Sequence, residues 1–204
     1  MRPTRLSPLE LTPQQVEAMR QLANLGSADA ARSLGRLLGT TVEAVQPRAQ
    51  VAPRGSVEKV LQADQSVAFS VHFTVEGGAR LRWMMHVTTE GAALMGGLLL
   101  GQPLLGELDG GAMYDSALAE MANIVVSSYV GGVAAAVGLT LVPSIPYVGK
   151  GSVSDTLDAA FGDLDSALLL VTDLRLPGVR QAGRIVAAPV DESLARLLSM
   201  LGAA

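Results

Sequence analysis

The apolar and polar positions fall into two successive runs of similar order, a long helical period followed by an extended segment, a short helix, two strands and a last helix. Thr12-Pro13 supplies the first helix start, with a hydroxyl to cap free N–H groups and proline in the first turn. Val16, Met19, Leu22, Ala23, Ala30, Leu34, Leu37 and Leu38 then recur at helical spacing, and Gly39 ends the stripe. Alternation predicts a strand over Thr41–Val51 and a short helix over Ser56–Leu61. Strands over Ser66–Val75 and Arg80–Thr88 flank a hairpin signal at Glu76-Gly77-Gly78-Ala79, and Thr89–Leu100 reads as a helix. The second run predicts a helix over Tyr114–Val137, one strand over Leu139–Val148 and a short helix over Ser152–Phe161. Strands over Ala167–Leu174 and Arg180–Ala187 follow, joined through Leu176-Pro177-Gly178-Val179, then a helix from Asp191.

The two runs are related by an internal repeat. Gln21-Leu22-Ala23-Asn24 aligns with Glu120-Met121-Ala122-Asn123 at an offset of 99 residues. The same offset carries Pro47 onto Pro146, Ser66-Val67-Ala68-Phe69 onto Asp165-Ser166-Ala167-Leu168, and Val71 onto Leu170. Six predicted strands joined mainly by hairpin-length turns imply an α/β (α+β) fold with a mainly antiparallel six-stranded sheet flanked by long helices. Each half alone would leave a sheet face and an edge uncovered. Residues 1–204 are therefore expected to form one pseudo-twofold domain from two repeats, about 12–100 and 112–204.

Composition narrows the function. Of 204 residues, 49% are apolar and 17% charged, enough for a sizeable core. A net charge of -4 and the lack of any Lys/Arg-rich run argue against nucleic-acid binding. With no cysteine, disulfides, thiolate metal sites and thiol catalysis are excluded. The opening MRPTRLSPLELT has no apolar stretch of a secretory signal, and a cytoplasmic location is expected. Ile124–Val142 is apolar enough to register as a membrane span. Its Gly/Ala/Ser content, Pro143 and Pro146, and the half-exposed character of its partner helix in the first repeat predict a buried core helix instead.

Glu-x-x-Asn on a helix sets a carboxylate and a carboxamide one turn apart on one face. Alone the pattern carries little, since such a pair arises by chance in roughly one chain of this size in two. Here the Asn recurs in the other half, and the second pair interrupts an otherwise apolar helix, where burial without partners would cost a few kcal/mol. His72 and His86, lying in strands with no Ser or Cys motif beside them, read as structural. Neither Gly110-Gly111 nor Gly149-Lys150-Gly151-Ser152 has the glycine spacing of a phosphate loop.

At these residues the chain resembles the CheC/CheX/FliY phosphatases of bacterial chemotaxis, and CheC most. Their motif, Asp/Ser-x-x-x-Glu-x-x-Asn with a proline about twenty residues later, is met by Ser116, Glu120, Asn123 and Pro143. Ile124-Val-Val-Ser-Ser-Tyr129 also looks like the family's continuation. The first copy, Glu17, Gln21 and Asn24, followed by Leu-Gly26-Ser-Ala-Asp-Ala-Ala, departs in carrying Gln21 for Glu and Glu17 for Asp or Ser. The resemblance implies a hydrolase that dephosphorylates a phosphorylated CheY-like receiver protein. In it Asn123 would orient the attacking water and Glu120 would dock on a lysine of the partner. Gln21/Asn24 would be a second, weaker site. It implies no cofactor of the chain's own, Mg2+ being supplied by the receiver, and a monomer with two half-sites. The alternative is a non-catalytic module of the chemotaxis or flagellar switch system that binds, for example, the CheD deamidase.

Overall fold

The computed structural model describes residues 9–53, 55–57, 59, 68–101, 111–151, 153–164 and 166–204. Helix α1 spans Pro13–Leu38. The Thr12 hydroxyl accepts from the Gln15 N–H at 3.2 Å and the Gln15 side chain accepts from the Thr12 N–H at 3.0 Å, a reciprocal cap. Gly39 closes the helix in the left-handed conformation, φ 65°, where a Cβ would be strained. Met19, Leu22, Ala23, Ala30, Leu34 and Leu38 form its buried stripe, whereas Leu37, expected on that stripe, lies at the surface. Helix α2 is Thr89–Leu100, α3 Gly111–Val137, α4 Val153–Phe161 and α5 Ser193–Met200.

The strands are β1 Glu43–Pro53, β2 Ala68–Gly77, β3 Leu81–Val87, β4 Leu141–Pro143, β5 Tyr147–Gly151, β6 Ser166–Leu176 and β7 Val179–Pro189. They make one antiparallel sheet in the order β1-β6-β7-β3-β2-β4, with β5 also paired to β2. Exchanging the halves reverses this order onto itself about the central β3–β7 pair, as a pseudo-twofold repeat requires. Among the described residues seven strands replace the expected six, because the single strand predicted over Leu139–Val148 divides in two. Pro143 and Pro146 each lack an N–H for the ladder. Between them Ser144 takes over the pairing: its N–H donates to Thr74 O at 2.8 Å and its Oγ accepts from the Thr74 N–H at 3.1 Å. Half of the predicted Ser56–Leu61 helix (Glu58, Val60 and Leu61), and Ser66, Val67 and Asp165 of the repeat alignment, lie outside the described residues.

One sheet face carries α1 and α3 over a core that includes Trp83, Met85, Leu168, Leu170 and Ile185. The two long helices meet closely at Gly26, where a Cβ would stand 2.9 Å from the Tyr129 carbonyl oxygen and 3.0 Å from Val133 Cγ2. The opposite face packs Met84, Leu169, Val171 and Val186 against Leu157, Ala160 and Phe161 of α4 and its end. Residues Met113–Val137 of α3 are long and apolar enough to cross a membrane. In the fold Leu118, Met121, Ala122, Val125, Val126, Tyr129, Val130 and Val133 are buried in the core. Apart from Met113 near its start, what α3 turns outward is small or polar: Ser116, Glu120, Asn123, Ser127 and Gly131.

Candidate functional site

Periodicity puts Glu120 and Asn123 on the outward stripe of α3, since Leu118, Met121, Ala122 and Val125 take the inward positions and fix the helix rotation. Glu120 is exposed and Asn123 half-buried. The Asn123 Nδ2 donates to Glu120 Oε2 at 3.3 Å, a long contact that leaves the carboxamide oxygen and the other N–H without a side-chain partner among the described residues and the carboxylate mostly uncommitted. Ser127 and Gly131 continue the stripe with little bulk, so the pair stands on a low surface against which a partner could lie. Among the described residues no cation pairs with Glu120.

The first copy is arranged differently. Gln21 and Asn24 are both exposed on α1, and each pair stands on its own helix rather than joining into one site. The Glu17 carboxylate is gripped by Arg20 through Nε at 2.7 Å and a terminal nitrogen at 2.6 Å, and it also accepts from Gln21 Nε2 at 3.0 Å. The Arg20 hydrogen bonds, then that of Gln21, draw the Glu17 carboxyl down to about 2, and Glu17 in turn holds the guanidinium further up. Asn24 makes no side-chain hydrogen bond among the described residues. Sequence reasoning singled out Gln21 and passed over Arg20. The i,i+3 spacing of Glu17 and Arg20 was the available signal.

Both histidines lie on the far face of the sheet. His72 is buried, shares a 3.2 Å hydrogen bond with the Ser70 hydroxyl, and burial lowers its pKa. It borders a cleft of about 390 Å³ with Arg82, Tyr147 and Ala160. Nothing there connects to Glu120 or Asn123. Among the described residues no group of three His, Asp or Glu side chains converges as a metal site.

No family model and no curated protein sequence matches the chain. Solved structures do. FliY of Thermotoga maritima superposes with a TM-score of 0.76 at 16% identity over 95% of this chain and 98% of that one. The FliM of a FliM–SpeE complex from H. pylori gives 0.69 at 14% identity over 95% and 97%. The CheX–CheY–BeF3–Mg complex of Borrelia burgdorferi gives 0.55 at 14% identity over 81% and 96%. The chain therefore has the CheC/CheX/FliY fold. That fold is common to chemotaxis and flagellar switch proteins and does not single out CheC.

Proposed function

We propose that this chain is a phosphatase of the CheC/CheX/FliY kind, acting in the cytoplasm on the aspartyl phosphate of a CheY-type receiver. The observation that carries the reading is the joint display of Glu120 and Asn123 outward on α3, on a fold shared with a CheX solved in complex with CheY, BeF3 and magnesium. In the reaction a water oxygen bonds to phosphorus as the phosphorus–oxygen bond to the receiver's aspartate breaks. The water's proton leaves to solvent or phosphate, the aspartate carboxylate is regenerated and inorganic phosphate departs. A neutral carboxamide suits the water-holding role, because it both donates and accepts hydrogen bonds and brings no negative charge beside the phosphoryl group. Asn123 is that group. Glu120 would hold a receiver lysine by a charge-assisted bond, which keeps the carboxamide over the phosphorus. Magnesium belongs to the receiver, and no residue of this chain is assigned to it. Both repeats are taken as one unit acting as a monomer, with Gln21/Asn24 as the weaker half-site.

The test follows the decay of a receiver loaded with acetyl phosphate. Wild type should accelerate decay and Asn123→Ala should not, while Asn24→Ala should change little. Equal losses from the two substitutions would show that the half-sites are ranked wrongly. The likeness to FliM supports a second reading, a binding module of the flagellar switch; engagement of CheD would be another form of such a module and draws no support from that likeness. Binding of the receiver without faster decay would favour it.

A further inference from the structure

We infer that Arg20, acting with Gln21 and Glu17, keeps the first half-site closed to the receiver that the second half-site serves, a statement that rests on the phosphatase reading above. At the offset of the repeat Glu17 matches Ser116, Arg20 matches Ala119, Gln21 matches Glu120 and Asn24 matches Asn123. The asparagine is kept while every other member of its face differs. Arg20 precedes Asn24 by four residues and so shares its side of the helix. The same place before Asn123 holds only the methyl group of Ala119.

Three consequences follow from the contacts. Arg20 is bound to Glu17 through two nitrogens, at 2.7 and 2.6 Å, so the one carboxylate of this half-site is already neutralised. Gln21 uses a carboxamide N–H on that same carboxylate at 3.0 Å, so it is turned toward the previous turn rather than outward. The guanidinium, its side chain 41% exposed, lies over Glu17 on the side of the helix that also carries Asn24, and adds positive charge and bulk there. A lysine docking here would meet a cation and a spent carboxylate. At Glu120 it meets a carboxylate with no cation on it among the described residues. Like charges a few ångströms apart in a solvated interface repel. Replacing Gln21 alone leaves that repulsion in place, and removing Arg20 alone frees the Glu17 carboxylate one turn early, at the place of Ser116 rather than that of Glu120. Both changes are needed.

The experiment starts from Asn123→Ala, in which the second half-site is off, and reads decay of the same acetyl-phosphate-loaded receiver. Into this background go Arg20→Ala, Gln21→Glu, and the two together. The singles should stay within about twofold of the parent, and the pair should raise the acceleration about tenfold. Adding Asn24→Ala to the pair should abolish the gain, a readout that a merely structural role for Arg20 would not move. Arg20 and Gln21 are at the surface, so circular dichroism and melting should match the parent and exclude misfolding. If the pair is no faster than Asn123→Ala while wild type is active, or if Gln21→Glu alone gives the whole gain, Arg20 does not close the site. If Asn123→Ala keeps half of the wild-type rate, the first half-site was open already. A wild type that accelerates nothing removes the phosphatase reading itself, and this inference with it.

Discussion

The crossing of α1 and α3 makes a sign prediction for two glycines. Replacing a helical glycine by alanine is worth about 1 kcal/mol in helix propensity when the methyl group meets nothing. Gly131 is such a place, exposed on α3 with no atom within 4 Å of a new Cβ, so Gly131→Ala should stabilise by about 0.5–1 kcal/mol. Gly26 is the opposite case. Its Cβ would stand 2.9 Å from the Tyr129 carbonyl oxygen, 3.0 Å from Val133 Cγ2 and 3.1 Å from Tyr129 Cδ2. The first is backbone, the second belongs to a β-branched side chain stiff at χ1, and the third to a buried ring, so none yields cheaply. Overpacking of this kind costs about 1–3 kcal/mol, which exceeds or cancels the propensity gain and leaves Gly26→Ala about 0–2 kcal/mol less stable than wild type. Urea unfolding read by circular dichroism should show the two midpoints moving in opposite directions at an unchanged m-value. Gly26→Ala as stable as Gly131→Ala would refute the close crossing, and with it the helix rotation that turns Glu120 and Asn123 outward.

Three further outcomes follow from single groups. The Tyr129 hydroxyl is buried without a hydrogen-bond partner among the described residues, so Tyr129→Phe should leave stability unchanged or raise it by up to about 1 kcal/mol; a loss above 1 kcal/mol in urea unfolding would reveal a missed partner. The Glu17 carboxyl should titrate near 2 by NMR rather than at its ordinary 4.5, and should return toward 4.5 in Arg20→Ala. Since its folded value is depressed, its contribution to stability is present above 4.5 and fades as pH falls toward 2; a midpoint near 4.5 in wild type would mean that the Arg20 clamp does not form in solution. His72 is held below its ordinary value by burial, so its neutral form favours folding and its contribution is lost as pH falls below 6.5; stability that fails to weaken there, relative to His72→Gln, would place the ring in solvent.

Much of the fold was legible because the deciding signals are local. Thr12-Pro13 and Gly39 mark the ends of α1, and Gly77-Gly78 and Pro177-Gly178 turn the two hairpins. The division of Leu139–Val148 escaped, although Pro143 and Pro146 announce it, because hydrophobicity along the segment stays strand-like while only hydrogen bonding is interrupted. The apolar run of α3 is ambiguous between core and membrane in any window of sequence. Only the outward row of Ser116, Glu120, Asn123, Ser127 and Gly131 distinguishes the two, and that row needs the helix rotation. The candidate residues were found through the repeat. The state of the first pair was not, because it depends on where the Arg20 side chain goes, and i,i+3 spacing permits that contact without requiring it.

The most direct measurement is single-turnover decay of a phosphorylated receiver at saturating concentrations of wild type and of Asn123→Asp, with affinity for the BeF3-loaded receiver measured alongside. Aspartate keeps the shape of Asn123 but loses the N–H donors and brings charge toward the phosphoryl group. Decay should slow by about 100-fold while binding changes only a few-fold. An Asn123→Asp protein that turns over as fast as wild type when saturated would contradict the role given to the carboxamide.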